Sequence, residues 1–113
     1  MCALWLLASD DEGILGLFCL TQENTICWQV HVMMLPFAWG QMTTEATKNM
    51  FEWVWKHTEC KRLVGSIPAD NPLTIGLALR TGMEQFGINH KSFQRKGKLH
   101  DQVLFGISRP EAV

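Results

Sequence analysis

The segment from Trp28 to Met83 restricts the fold of this chain more than any other part of its sequence. It begins with an apolar run that ends at Leu35-Pro36, passes through a short loop around Gly40, and then changes to a helical period. In a strand–loop–helix unit the first amides of the helix have no acceptor within the helix, so they attract an anion. The segment therefore predicts such a unit, with a loop suited to a phosphate group.

Three strand-length apolar runs precede that loop, at residues 3–9, 14–22 and 26–35. Short polar turns join them, which predicts an antiparallel meander. The third run is largely apolar on both faces, because Trp28, Val30, Val32 and Met34 alternate with residues that are themselves partly apolar. Strands that are buried on both faces lie inside a sheet, so we expect this strand near the sheet centre.

A helix is predicted from Thr44 onward, with Thr43 or Thr44 as its N-cap. Residues 62–67 read as a short buried strand. Asn71-Pro72 then marks the start of a second helix, and Gly82 is suited to the left-handed position that ends it. Two further runs, 84–94 and 99–108, form a hairpin. The predicted order is β-β-β-α-β-α-β-β in one α/β (α+β) domain over residues 1–113.

The apolar arc of the first helix is wider than one sheet face covers. Its main stripe has helical spacing, and Phe51 and Trp55 extend it well beyond the usual arc of about 100°. We therefore expect the sheet to leave a face exposing Phe51 and Trp55. That face would be covered by another element, by a second copy in a homodimer, or by a protein partner.

Composition excludes several functional classes. The chain has 113 residues, 47% hydrophobic and 19% charged, with a net charge of -1, so it is globular and has no overall field for nucleic acid or membrane. The apolar first residues follow no basic segment, and no apolar run approaches the roughly 20 residues of a membrane span. We expect a cytoplasmic protein whose four cysteines are reduced: Cys2, Cys19, Cys27 and Cys60.

No residue spacing indicates a metal site. Cys27 and His31 would lie roughly 13 Å apart along a strand, and His57 with Cys60 supplies only two ligands. The sequence also lacks the nucleophile elbow of hydrolases and the phosphate loop of the Walker type.

The residues of the loop and of the second helix resemble the GNAT superfamily of acetyl-CoA-dependent N-acetyltransferases, over about residues 14–109. The most similar branch is the one that acetylates ribosomal-protein N-termini, and short members encoded by tailed bacteriophages are also similar. The resemblance implies a GNAT-like acyltransferase fold with a mixed, mostly antiparallel sheet. It rests on the loop Trp39-Gly40-Gln41-Met42-Thr43-Thr44-Glu45-Ala46 and on Asn71, Thr74, Gly82 and Met83.

The resemblance implies that acetyl-CoA is the co-substrate. The third strand and the 62–67 strand would splay apart, and the pantetheine arm would bond along the strand edge. The pyrophosphate would lie on the amides that begin the first helix. Lys48 would add charge there, or would be an ordinary solvated lysine. The implied cofactor-binding residues are Val32, Met34, Leu35, Trp39, Gly40, Gln41, Met42, Thr43, Thr44, Lys48 and Asn71.

The implied activity is acetyl transfer to a primary amine of a small molecule, a protein N-terminus or a lysine. His31 is the candidate base, with Gln29 orienting a water molecule; the alternative is a hydrogen-bonded core histidine. Thr74 would supply the hydroxyl that protonates the leaving thiolate, or would bond to its own helix. Ala78 occupies the position where many members have tyrosine.

Two departures from the family pattern favour a second reading, an inactive scaffold or assembly protein with the same fold. Phe37 and Met42 stand at the first and last loop positions, and the Met42 side chain replaces a glycine at the place of closest approach to the phosphates. The chain also begins directly with the hairpin, whereas the family opens with a strand and one or two helices on the acceptor side. Acceptor recognition would then be missing, supplied by a partner subunit, or located in an upstream segment.

Overall fold

The computed structural model describes residues 3–111. Its elements follow the predicted order, which confirms the fold class. The strands are β1 (Ala3–Asp10), β2 (Gly13–Gln22), β3 (Cys27–Met34), β4 (Arg62–Pro68), β5 (Glu84–Arg95) and β6 (Lys98–Ser108), and the helices are α1 (Gln41–His57) and α2 (Pro72–Arg80). A single 3-10 turn, Pro36–Ala38, separates β3 from α1.

The strands form one six-stranded sheet in the order β1-β2-β3-β4-β6-β5. Every neighbouring pair is antiparallel except β3 and β4, which run parallel and are connected through α1. A parallel neighbour needs such a crossover, which is why the chain changes to a helical period at this point. β3 therefore lies inside the sheet, as its apolar faces predict.

The pairing between β3 and β4 is short. Only Cys27, Trp28 and Gln29 are paired with β4, although β3 continues to Met34. β4 continues to Pro68 by pairing with β6 on its other side. The two strands therefore diverge beyond Gln29, as the family resemblance implies, and each leaves an unpaired backbone edge along the gap.

Both helices lie on the same face of the sheet. The core contains Phe18 and Leu20 from the sheet together with Met50 and Val54 of α1 and Ala78 of α2. The two helices also contact each other, because the Arg80 Nε donates a hydrogen bond to the Thr44 Oγ1 at 3.0 Å. We call the opposite side of the sheet the open face.

The expected exposure of Phe51 and Trp55 is wrong. Phe51 is only 4% exposed, and Trp55 is half-buried against the same core, with the two ring centroids 6.5 Å apart. Their arc is covered because the sheet and the neighbouring α2 surround α1 together. The exposed apolar side chains of β1 and β3 lie on the open face instead and include Trp5, Leu7 and Met33.

The predicted N-cap of α1 is also wrong. The helix begins at Gln41, and Gly40 is the N-cap. The hydroxyls of Thr43 and Thr44 bond backward to the carbonyl oxygens of Ala38 (2.6 Å) and Gly40 (2.9 Å), so both threonines lie within the first turn. α2 starts as predicted, with Asn71 as its N-cap. Within residues 3–111, neither helix is long and apolar enough to cross a membrane.

Candidate functional site

The divergence of β3 and β4 opens a cleft of about 710 Å³. Its two rims are the unpaired parts of those strands. Its floor on the helical side consists of side chains from the middle of α1 and from α2, including Met50, Leu77 and Ala78. The cleft is therefore a direct consequence of the three-residue pairing described above.

The cleft passes through the sheet. Successive strand residues point to opposite faces, so Val30 and Val32 point toward the helices while His31 and Met33 point to the open face. All four line the cleft. Side chains from both faces of the sheet therefore border the gap.

The rim of β3 offers free backbone groups. The Leu35 N–H donates to the Leu15 carbonyl on β2 at 2.8 Å, whereas the Ile26 carbonyl accepts from two amides leading into β4, at 2.7 and 3.0 Å. Because residues of a strand bond alternately to its two neighbours, Val32 and Met34 direct their backbone groups toward the gap. The Leu35 carbonyl also accepts a bond, from Ala38 at 2.9 Å, so both backbone groups of Leu35 are engaged.

The loop after β3 presents the start of α1. Gly40 has φ 105°, a backbone conformation that is unfavourable for any residue with a side chain. A Cβ at this position would meet no atom within 4 Å, so the constraint comes from the backbone and not from crowding. The first helical bond runs from the Thr44 N–H to the Gly40 carbonyl at 3.0 Å. The amides of Gln41, Met42 and Thr43 therefore have no acceptor within the helix. Met42 is 46% exposed, so its side chain lies in solvent and does not fill the loop.

The structure brings some predicted site residues together and separates others. His31, Val32, Asn71 and Thr74 line the cleft. The remaining predicted cofactor residues lie outside its lining: Met34 and Leu35 at the end of β3, Trp39 and Gly40 in the loop, and Gln41, Met42, Thr43, Thr44 and Lys48 on α1.

His31 is exposed at the cleft, which excludes its interpretation as a core histidine. Gln29 does not reach the cleft, because it lies in the part of β3 that is still paired with β4. Its Nε2 donates to the Glu23 Oε1 at 2.6 Å. The cooperation of Gln29 with His31 stays a prediction.

Asn71 and Thr74 lie on the α2 wall. The Asn71 Oδ1 accepts the Thr74 N–H at 3.3 Å, which caps the helix and fixes both side chains at the cleft. Ser66 on the opposite rim adds a second hydroxyl.

Thr47 is a cleft residue that the sequence reasoning missed. It is 3% exposed, and within the described residues its Oγ1 has no hydrogen-bond partner. A buried hydroxyl without a partner costs about 1–3 kcal/mol, so this one is poised to bond to a ligand in the cleft. The available signal was a pair of threonines four residues apart, Thr43 and Thr47, on the buried side of α1.

Neither Cys27 nor Cys60 provides an activated thiolate. Burial raises the pKa of the Cys60 thiol, and burial together with the neighbouring Glu23 raises the pKa of Cys27. Cys19, Cys27 and Cys60 are free thiols, and Cys2 lies outside the described residues. No group of three or more His, Cys, Asp or Glu side chains within residues 3–111 could hold a metal ion.

Comparison with known proteins gives one matching family and several similar structures. The family profile described as Acetyltransferase (GNAT) domain matches residues 1–84. No curated protein sequence matches the chain significantly. Among solved structures, a spermidine N-acetyltransferase from Vibrio cholerae in complex with CoA and spermine has a TM-score of 0.85 and 14% identity, over 94% of this chain and 65% of that one.

A second similar structure is a microcin self-immunity acetyltransferase in complex with acetyl-CoA and AMP. It has a TM-score of 0.82 and 20% identity, over 95% of this chain and 61% of that one. At such identities the likeness establishes the fold alone. The present chain spans about two thirds of the length of these structures.

Proposed function

Because this chain belongs to the GNAT acetyltransferase family, we propose that it transfers an acetyl group from acetyl-CoA to a primary amine. The observation that carries the proposal is the cleft between the diverging ends of β3 and β4, which is lined by residues from both faces of the sheet. An acyl donor on the helical side and an amine on the open face would meet in the gap. A structural neighbour crystallised with both CoA and spermine supports this two-ligand arrangement.

The start of α1 is the proposed site of the cofactor pyrophosphate. Its free amides and the positive end of the helix dipole favour an anion, and the first turn carries no acidic side chain. Gly40 permits the turn that presents these amides. The other predicted contacts of this group are Trp39, Gln41, Met42, Thr43, Thr44 and Lys48.

The pantetheine arm would then follow the rim of β3 into the cleft. The backbone groups of Val32 and Met34 would bond to its amides. The Thr47 hydroxyl would donate to one of its carbonyl oxygens from the floor, and Asn71 would face it from α2. This placement gives the unpartnered Thr47 hydroxyl an acceptor.

His31 is the proposed general base. The amine nitrogen attacks the acetyl carbonyl carbon, the C–N bond forms and the C–S bond breaks. His31 accepts the proton that the amine loses, directly or through water, and the departing sulfur is protonated to give CoA. Thr74 is the proposed relay of that proton: its hydroxyl donates to the sulfur and takes a proton back from solvent water. An exposed imidazole at the mouth suits this role because its other side is open to solvent for proton exchange.

Membership of the family specifies the proposed acceptor no further than a primary amine. The resemblance to the ribosomal-protein branch favours a protein N-terminus, and an origin in a tailed bacteriophage is proposed on the same basis. The alternative function, an inactive scaffold, is supported by the apolar residues on the open face, which would then bind a second copy or another protein.

Calorimetric titration with acetyl-CoA tests the proposal, with Gly40→Ala and Gly97→Ala as a matched pair. Both glycines have positive φ, 105° and 77°, and neither has an atom within 4 Å of an added Cβ. Both substitutions introduce backbone strain, and it is larger at Gly40, because φ 105° with ψ -131° lies outside the left-handed helical region. The free energy of unfolding of each variant is therefore measured together with its affinity. Only Gly40→Ala should weaken acetyl-CoA binding, by roughly ten-fold or more. Equal losses of affinity in the two variants would place the cofactor site elsewhere. If the unsubstituted protein bound no acetyl-CoA at millimolar concentration, acetyl transfer would be excluded and the inactive scaffold would remain as the function.

A further inference from the structure

The open-face mouth of the cleft has an unusual composition for a site that receives an amine. Its lining includes Trp5, Cys19, His31, Met33 and Phe93. Trp5 is 57% exposed and Met33 is 46% exposed, so this apolar surface faces the route by which an acceptor would arrive. Within residues 3–111, no Asp, Glu, Lys or Arg lines any part of the cleft.

Two ionic groups beside Phe93 and Asn71 do not favour a polycation either. Arg95 stacks on the Phe93 ring, with its guanidinium carbon 5.1 Å from the ring centroid. Asp70, which precedes the cleft residue Asn71, is already engaged: its Oδ2 lies 3.7 Å from both the Arg95 Nε and the His100 Nε2. The charged group beside Phe93 is therefore Arg95, which is already paired with the Asp70 carboxylate.

These observations distinguish between classes of amine. A polyamine or a diamine brings at least one ammonium that stays charged while the other reacts. Placing that charge near an apolar wall and an arginine is unfavourable unless a carboxylate pairs with it. An apolar group beside the reacting nitrogen gains from the same wall, at about 25 cal/mol per Å² of apolar surface buried. The apolar surroundings also favour the neutral, nucleophilic form of the amine.

We propose that the acceptor is a primary amine attached to an aromatic or bulky apolar group, without a second positive charge, and that this group packs against Trp5, Met33 and Phe93. The inference rests on the proposed acetyl transfer and adds the substrate class to it. The shared chemistry fits a free arylalkylamine and also an N-terminal aromatic residue.

Initial rates of acetylation measured by mass spectrometry of the product test the inference without interference from the free thiols. A length-matched comparison uses butylamine and 1,4-diaminobutane, which share a four-carbon chain and differ by the second amine and its charge. 2-Phenylethylamine, a peptide beginning with phenylalanine, and spermidine complete the panel. We expect kcat/KM to be at least about ten-fold higher for butylamine than for the diamine, and highest for the aromatic amines. The ranking of 2-phenylethylamine against the peptide identifies which of the two sources is the acceptor.

A pair of variants locates the selectivity. Trp5→Glu places a carboxylate at the mouth, whereas Leu7→Glu places one on the same strand and the same face but outside the cleft lining. The two positions are 57% and 58% exposed, so neither substitution disturbs the core. Only Trp5→Glu should shift the butylamine-to-diamine ratio toward the diamine, by roughly three- to ten-fold.

The possible results separate this inference from the proposed function. A preference for spermidine or the diamine, or equal rates for all amines, overturns the substrate class and leaves acetyl transfer intact. Equal shifts in the two variants overturn the placement at Trp5. Acetylation of no amine in the panel, with or without acetyl-CoA binding, overturns the inference together with the acetyl-transfer function.

Discussion

At the scale of single residues, Thr47 and Thr43 of α1 allow a buried hydroxyl without a hydrogen-bond partner to be compared with one that has a partner. Both are buried, but the Thr43 hydroxyl donates to the Ala38 carbonyl at 2.6 Å while the Thr47 hydroxyl has no partner in the described chain. Thr47→Val should therefore raise the free energy of unfolding of the free protein, by up to about 1–2 kcal/mol, because it removes a buried and unsatisfied group. Thermal or urea unfolding would measure this change.

The same substitution should weaken acetyl-CoA binding by roughly five-fold, the equivalent of about 1 kcal/mol for one lost hydrogen bond. A higher free energy of unfolding together with weaker acetyl-CoA binding is expected only if the Thr47 hydroxyl bonds to the ligand and to nothing in the free protein. Thr43→Val is the control and should destabilise the protein, since it leaves the Ala38 carbonyl without its donor. If Thr47→Val destabilised the free protein as much as Thr43→Val, the hydroxyl would have only a structural role.

His31 carries the second prediction at this scale. His31→Gln keeps a polar side chain of similar length but removes the base, so kcat should fall by about 10²–10⁴-fold with little change in acetyl-CoA affinity. His57, exposed near the end of α1, provides the control: His57→Gln should leave kcat unchanged. An unaltered kcat in the His31 variant would exclude it as the base.

At the scale of elements, α2 depends on Asn71 in two ways that substitution can separate. Asn71→Ala removes the cap and should cost about 1 kcal/mol of stability. Asn71→Asp keeps an acceptor for the Thr74 N–H and should restore most of that stability. Neither variant retains the side-chain N–H₂ donor, so acetyl-CoA titration should show weaker binding for both. Full recovery of binding with aspartate would mean that Asn71 acts only as a cap.

The sequence predicted the elements well because their signals are local. Turn clusters bound the first three strands, Asn71-Pro72 begins α2, and Gly82 at φ 92° follows its end as expected. The start of α1 was misplaced because a threonine pair is a typical N-cap signal, whereas the chain uses the conformational freedom of Gly40 instead.

The features of the site that the sequence did not predict arose from tertiary packing, which no local pattern records. Phe51 is buried because the sheet and α2 pack around α1 in one core. Gln29 is separated from the cleft by the point at which β3 and β4 part. The missing partner of Thr47 is likewise visible only once the cleft is formed.

At the scale of the whole molecule, the gap between β3 and β4 interrupts the sheet beside its centre. The groups facing that gap lack the protection of a continuous ladder, although both strands remain bonded on their outer sides to β2 and β6. The free protein should accordingly be most open to exchange at this seam and at the start of α1. A ligand spanning the seam would substitute for the absent strand pairing.

Acetyl-CoA should therefore stabilise the protein most strongly along the unpaired part of β3 and at the first turn of α1. At a hundred-fold excess over its dissociation constant, binding adds about 2.7 kcal/mol to the free energy of unfolding and should raise the melting temperature by roughly 8–15 °C. Hydrogen exchange should show new protection at Val32, Met34 and the first turn of α1, and little change at the β5–β6 tip around Gly97. Protection at that tip without protection along β3 would contradict the placement of the cofactor in the cleft, whatever the melting temperature did.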